Sequence, residues 1–528
     1  MVLEARNIWD LIVRRAEATP GSELAVDETG RRITFGEYRD RAERVAAGLE
    51  GEGVGEGDVV SWIQPTWIEA MVLFGALRRL GAVQNPIIPM YREREVGFIV
   101  RQAEPSLLVV PSVWRGVDYE ALARTVTKGT KTRVLIADRA ADRADCLLPE
   151  GDPSRLPTPP GDDMDGENVP VRFIYYTSGT TAEPKGARHG DRSLRAASVG
   201  MSERLHLTQD DRFALVFPFT HVAGGVYMHA AMAYGLTFVL DEAFDPESTL
   251  GLLRRERVTQ GGAGTFFHQV YLQAQRALPA GEKLFPHIRT FPGGGAPKPP
   301  SLHRELKRAF GVGVVSGYGL TEAPVLTMND AGDDDEVLAT TEGRAVGGTR
   351  LRIVRPHGSQ TGSGSEAEAE VGEEGEVRAK GPQVTLGYLD PALDADAFDD
   401  DGWFRTGDLG RLDERGNLTI TGRLKDVIIR KGENISAKEV EDLLFTHPNV
   451  GDVAVIGLRD AERGERACAV VVPAAGHDPP SLDEVTAHLL DAGLITRKLP
   501  EQLEIVDELP RNPSGKVLKF ELQRRFGG

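Results

Sequence analysis

Two periods of apolar residues alternate along the first 150 positions. Ile8 to Thr19 and Thr34 to Gly51 repeat apolar side chains three and four residues apart, the second at Phe35, Tyr38, Ala42, Val45 and Leu49. That spacing predicts amphipathic helices. Asp58 to Ile63 and Ala82 to Ile88 are short and mostly apolar, and they read as strands. Between them Trp67 to Leu80 reads as a helix closed by Gly81. A β-α-β rhythm of this kind predicts a largely parallel, doubly wound sheet.

Phe213 to Leu240 carries no Asp, Glu, Lys or Arg over 28 residues, long enough to cross a bilayer. Pro218, His221, Gly224, Gly225, His229 and Gly235 interrupt it, however. A buried strand (Arg212 to Phe217), helix (Val226 to Tyr234) and strand (Leu236 to Leu240) explain the missing charges without a membrane span. The Pro-, Gly- and Asp-rich run 150–168 predicts a surface connection and a subdomain border. The α/β rhythm resumes from Phe173 to about Thr327, and Asn329 to Glu336 is an acidic loop. Short strands follow at Arg350 to Val354, Glu376 to Lys380 and Leu418 to Thr421, with a low-complexity stretch from His357 to Glu376 between them. From Gly422 a compact α+β unit is predicted: strands Asp426 to Arg430, Val453 to Gly457 and Ala467 to Val472, and helices Ala437 to Phe445 and Leu482 to Ala492. Ser436 is the expected N-cap of the first of these helices. The fold class is therefore α/β. A large N-terminal domain (1–422) holds two doubly wound α/β subdomains (about 1–165 and 166–330) plus a small β-barrel (331–422). A small α+β C-terminal domain (423–528) follows.

Charge narrows the function. The chain has 62 Lys plus Arg against 80 Asp plus Glu, a net −18 over 528 residues. A dense cationic footprint is absent, which argues against nucleic acid as a partner but leaves small anionic ligands open. Two cysteines far apart make neither a disulfide framework nor a zinc site. The N-terminus lacks the apolar core of a signal peptide, so a cytoplasmic location is expected. The 60 glycines predict many tight turns or many close approaches of backbone to ligand.

The run FIYYTSGTTAEPKG (173–186) leads an apolar strand into Thr177, Ser178, Gly179, Thr180 and Thr181, then reaches Lys185. Hydroxyls, exposed backbone N–H groups and one Lys suit a polyphosphate. This is not a Walker A loop, because Pro184 precedes the lysine. Alone, the loop also fits a hydroxyl-rich linker.

Five motifs in order span nearly the whole chain: TSGTTAEPKG (177–186), GYGLTE (317–322), FRTGD (404–408), GRLKDVIIRKGENIS (422–436) and PRNPSGKVLK (510–519). In these the chain resembles the adenylate-forming enzymes, which include acyl-CoA synthetases, nonribosomal adenylation domains and luciferases. It departs at Ala182, where many relatives have Gly. The resemblance implies ATP, Mg²⁺ and coenzyme A as cofactors, and a C-terminal domain that moves about a hinge at Lys425. It implies phosphate binding by Thr177 to Thr181 and Lys185, with Gly294, Gly295 and Ala296 along the nucleotide. Gly317, Tyr318 and Gly319 would lie against adenine, Tyr318 by stacking. Thr321 would bond the α-phosphate and Glu322 hold the metal. Asp408 would take the ribose hydroxyls, and Arg423 the ribose or a phosphate. Lys431 and Gly432 would face incoming CoA. Lys516 would be the catalytic lysine of the first half-reaction. Without the resemblance, Tyr318 fits a core aromatic, Asp408 a turn residue, and Lys431 and Lys516 solvated surface lysines.

The acyl group is read from PFTHVAGG (218–225) and FPGGGAP (291–297). Amino-acid-activating relatives carry an Asp in the first segment, and this chain has Thr220 and His221 there. An apolar carboxylic acid without an α-amine is expected, with His221 as a gate. NPIIPMYREREV (85–96) and IIRKGENISAKEVEDLL (428–444) resemble ligases for medium-chain or alicyclic carboxylates, such as cyclohexanecarboxylate–CoA ligase. The expected reaction is acyl-adenylate formation followed by thioester formation on CoA. Two alternatives stay open. One is a stand-alone enzyme loading an acyl carrier protein. The other is a non-catalytic nucleotide-binding regulator, against which Lys516, Glu322 and Asp408 all argue.

Overall fold

The computed structural model describes all residues except 1, 144, 162, 163, 165–168, 178–183, 263, 297, 356–366, 431, 432, 461, 512–515 and 528. Its first helices follow the apolar period closely. Phe35–Gly51 starts at a capping box in which Thr34 and Glu37 exchange bonds, and Tyr38, Ala42, Val45 and Leu49 are fully buried. Ile68–Leu80 is buried along its whole length and ends at Gly81 in the left-handed conformation that glycine permits.

Six strands form the larger sheet, in spatial order Lys185–His189, Phe173–Thr177, Val83–Pro86, Val59–Trp62, Leu107–Val110 and Arg133–Ile136. All its pairings are parallel except the edge hairpin Phe173–Thr177 with Lys185–His189. Alternate residues feed two cores. Phe173, Tyr175, Leu107 and Val109 enter the largest cluster, and Ile174, Tyr176, Leu108 and Val110 enter a second one on the opposite face. A sheet covered on both faces needs apolar residues at consecutive positions, which is why its strands read as continuous runs.

Strand pairing crosses the border suggested by the 150–168 connection. Phe173–Thr177 lies parallel to Val83–Pro86 in the six-stranded sheet. Glu23–Val26 and Arg32–Thr34 instead join Arg212–Leu215 and Thr237–Leu240, with Ala25 opposite Phe238. The two α/β units thus exchange strands. Periodicity marks strands but cannot say which sheet they enter.

The charge-free run folds as a strand, helix and parallel strand, with Phe213 opposite Phe238. Its helix begins at Val222, four residues earlier than expected, because His221 caps it: His221 Nδ1 accepts from Ala223 N at 3.2 Å. Among the described residues no helix is long and apolar enough to cross a membrane. The acidic loop is partly helical, over Asp335–Thr340.

The small β unit is an antiparallel meander of Arg350–Val354, Gly375–Lys380, Phe404–Leu412 and Leu418–Arg423. It closes over the hairpin Val314–Leu320/Ala323–Met328 through shared contacts of Tyr318 and Leu351. The C-terminal unit is a five-stranded sheet with a core on each face: Val453, Val455 and Ala469 on one, Ala454, Ile456 and Val470 on the other. Ser436 caps the helix Ala437–Leu444 by accepting from Glu439 N, and its hydroxyl donates to Thr421 O at 2.7 Å.

Candidate active site

The strand hairpin Phe173–Thr177/Lys185–His189 flanks the hydroxyl-rich loop and pairs Thr177 with Lys185 at its mouth. Ser178, Gly179, Thr180 and Thr181 lie outside the described residues. On its other edge the hairpin takes the segment 386–389, where Leu389 N donates to Gly186 O at 2.7 Å and Ala187 bridges Tyr388. That pairing places the Tyr388 ring 5.3 Å from Lys185 Nζ. It also lets the Tyr388 hydroxyl donate to Glu322 Oε1 at 2.7 Å.

Thr321 and Glu322 form the turn between Val314–Leu320 and Ala323–Met328. The glycines of this hairpin serve its tight backbone contacts: a Cβ at Gly319 would sit 2.2 Å from Pro324 O. The turn is held from behind. His189 Nε2 lies 2.9 Å from Thr321 O, and Thr385 N donates to Glu322 O at 2.7 Å. Burial pulls His189 down to about 4, so it is neutral near pH 7 and acts as a donor or acceptor without charge.

Tyr318, Asp408 and Arg423 form the opposite wall. The register of the meander places Asp408 directly across from Arg423. Tyr318 Oη donates to Asp408 Oδ2 at 2.6 Å, and Arg423 Nε donates to Asp408 Oδ1. Burial works against the charge of Arg423, but Asp408 outweighs it and the guanidinium pKa rises. Asp408 is only 4% exposed and stands one layer behind the cleft wall.

Lys425 and Lys516 complete a cluster of cations with Arg423, and all three line one cleft of about 700 Å³ together with Thr177, Lys185, Thr321 and Glu322. Lys516 comes from the C-terminal unit. Burial, then Arg423, lowers its pKa to about 8. The same two causes lower Lys425. Amines depressed by neighbouring cations mark a place prepared for anionic charge.

Family models match on both sides of this cleft: "AMP-binding enzyme" over residues 12–389 and "AMP-binding enzyme C-terminal domain" over residues 439–516. The chain belongs to the AMP-binding enzyme family. It is a ligase of the acyl-CoA synthetase superfamily within it. The medium-chain fatty-acid–CoA ligase of Escherichia coli K12 is 31% identical over 527 residues, covering 98% of this chain and 90% of that protein. The salicyl-AMP ligase/salicyl-S-ArCP synthetase of Mycobacterium tuberculosis H37Rv is 31% identical, over 98% and 90%. Among solved structures, ATP-bound MatB from Rhodopseudomonas palustris superposes with a TM-score of 0.84 at 30% identity, over 99% of each chain.

The same cleft also carries apolar side chains. Phe217, Val222, Val226, Tyr227, Met201 and Met328 line it, and the segment 217–227 brings no ionised side chain to it. His221 stands at its edge. Burial lowers its imidazole to about 4, so it is neutral. Gly224 and Gly225 do not open space for a ligand. A Cβ there would meet Phe219 O at 1.9 Å and Tyr175 Oη at 2.6 Å, so these glycines let the helix pack. Gly294 and Gly295 line the cleft; a Cβ at Gly294 would come within 3.3 Å of Gly317 O, while Gly295, at φ +75°, has open space around it.

The structure thus brings Thr177, Lys185, His221, Gly294, Gly295, Gly317, Tyr318, Gly319, Thr321, Glu322, Arg423, Lys425 and Lys516 to one cleft. Asp408 joins through Tyr318 and Arg423. Ala296 is not among the lining residues. Lys431 and Gly432 fall outside the described residues. Sequence reasoning missed Tyr388 and His189. For Tyr388 no local signal exists, since its contact with Glu322 spans 66 positions. For His189 the only signal is that it faces the core of a strand four residues after Lys185.

Proposed function

We propose that the chain activates an apolar carboxylic acid, of medium-chain or alicyclic size, as its acyl-adenylate and transfers the acyl group to coenzyme A. The observation that carries this reading is the meeting of Lys516, from the C-terminal unit, with Thr321, Glu322 and Arg423 in one cleft also lined by Phe217, Val222, Val226 and Met328. ATP use is supported by the family and by the likeness to an ATP-bound structure.

In this reading Thr177, Lys185 and Thr321 hold the phosphates, with Ser178, Gly179, Thr180 and Thr181 completing the loop. Arg423, held by Asp408 behind it, takes the ribose side, and Tyr318 offers its ring to adenine. Glu322 fits Mg²⁺: Tyr388 engages one carboxylate oxygen, and a carboxylate brings a second hard oxygen donor. When bound, the metal supplies charge neutralisation at the phosphates.

A carboxylate oxygen of the acid attacks the α-phosphorus, and the bond to pyrophosphate breaks. The Lys516 ammonium sits where negative charge gathers between the two anions and stabilises it. The C-terminal unit then turns about Lys425 and withdraws Lys516. The thiolate attacks the acyl carbon, and AMP leaves with the electrons of the cleaved C–O bond. Successive geometries supply proximity for each step.

The segment 217–227, which lines the cleft without an ionised side chain, supports an apolar acid. One relative is named both a salicyl-AMP ligase and a salicyl-S-ArCP synthetase, which favours a carrier-protein thiol as the second reading. Pyrophosphate exchange across straight-chain, alicyclic and aromatic acids tests the acid. Turnover with CoA against holo carrier protein tests the acceptor. Exchange with no acid of the panel sinks the ligase reading.

A further inference from the structure

The helix Ala437–Leu444 of the C-terminal unit turns Ala437, Val440 and Leu444 into its own core. Lys438 and Asp442 are one turn apart on another face of the helix and form an i,i+4 ion pair, with side chains 13% and 27% exposed. That exposure is low for a surface pair because the helix lies against the large unit, packed on the strand Leu418–Arg423.

In the large unit, Lys298 comes two residues after the run Gly293 to Ala296 and is only 5% exposed. Its ammonium donates to Leu338 O. After burial, Glu342 is the charge that acts on it most, ahead of Lys438 and Asp442 from the docked helix. Glu342 accepts from the Ser316 hydroxyl, and its N–H donates to Leu418 O at 2.7 Å. Ser316 precedes Gly317 and Tyr318. Lys298 and Glu342 therefore sit behind both the glycine loop and the GYGLTE strand, on the side where the C-terminal unit docks.

We propose that Lys298, Glu342, Lys438 and Asp442 form a releasable charged dock that sets how firmly the C-terminal unit holds the arrangement in which Lys516 occupies the cleft. They are positioning residues for the first half-reaction, and this inference rests on the two-step reading above. Each unit carries one positive and one negative charge. Separation therefore leaves neither unit with an excess charge among these four residues. Breaking a partly buried pair by removing one member is costly, whereas parting two self-neutral pairs is not. An interface of this kind holds by complementarity and still lets go, as a unit that must move between two half-reactions requires. Burial lowers the Lys298 amine to about 8, and it raises the Asp442 carboxyl, as expected for charges enclosed by docking.

Asp442→Asn leaves Lys438 facing Lys298 with one excess positive charge. The expected result is a drop of about ten-fold in pyrophosphate exchange, with thioester formation from supplied acyl-adenylate changed less than about two-fold. Lys438→Gln combined with Asp442→Asn removes the excess charge and should restore exchange to within about three-fold of the unsubstituted enzyme. A merely structural role for the helix would lower both half-reactions together, so the loss confined to exchange is the discriminating readout. Equal losses in both half-reactions, or a double variant no better than Asp442→Asn, would overturn the inference. Absence of exchange in the unsubstituted enzyme overturns the ligase reading itself, and the dock with it.

Discussion

Tyr388 and Glu322 are joined by a hydrogen bond of 2.7 Å between a hydroxyl and a carboxylate that stand 66 positions apart. The same ring lies 5.3 Å from the Lys185 ammonium. One side chain thus orients the expected metal ligand and rests against the expected phosphate lysine. Tyr388→Phe keeps the ring and removes only the hydroxyl. It should raise the KM for Mg·ATP about ten-fold, the cost of one charge-assisted bond, with a smaller change in KM for the acid. An unchanged KM for Mg·ATP would show that Glu322 needs no orientation.

Lys516 joins Arg423 and Lys425, at the start of the C-terminal unit, from nearly a hundred residues further along the chain. Lys516→Ala should lower acyl-adenylate formation by about two to three orders of magnitude, comparable to losing a donor at a developing charge. It should leave thioester formation from added acyl-adenylate within about three-fold. If both half-reactions fall together, the division of labour between two arrangements is wrong.

The same lysine predicts a pH limb. Its pKa is lowered to about 8, so the ammonium is present below that pH and is lost above it. Since the proposed role needs the cation, kcat/KM for ATP in the exchange reaction should fall as pH rises through about 8. Bound polyphosphate stabilises the ammonium, so the limb in kcat at saturating ATP should move upward. A kcat/KM profile flat to pH 10 would contradict this.

Asp408 receives both Tyr318 and Arg423 while only 4% exposed. Asp408→Ala strands the guanidinium beside a buried gap and should cost about 3 kcal/mol, read as a lower midpoint in chemical denaturation. Tyr318→Phe leaves the ion pair intact and should cost only about 1 kcal/mol. Similar midpoints for the two variants would mean that the pair does not brace the meander.

The sequence by itself determined the local elements, because their causes are local. The three-and-four spacing of Tyr38, Ala42, Val45 and Leu49 produces a helix wherever it is packed. Thr34 and Ser436 cap because their hydroxyls reach a backbone N–H three residues on, and the apolar runs around Phe173 and Leu107 need only two buried faces. The motif residues from Thr177 to Lys516 were legible in the same way, each in its own short segment, and their order along the chain pointed to the family. The sequence could not decide which sheet each strand joins, because pairing is settled by long-range packing. Glu23–Val26 therefore left its neighbours for Thr237–Leu240 across the expected border. Nor could it separate glycines that let helices and hairpins pack, such as Gly224 and Gly319, from those that open the cleft, such as Gly295. The tertiary structure alone placed Asp408 behind Tyr318 and Arg423, set Tyr388 against Glu322 and buried Lys298 opposite the Lys438–Asp442 pair. Apart from Asp408 and Arg423, 15 positions apart on adjacent strands, these partners lie dozens to more than a hundred residues apart, and only the folded core fixes their distance.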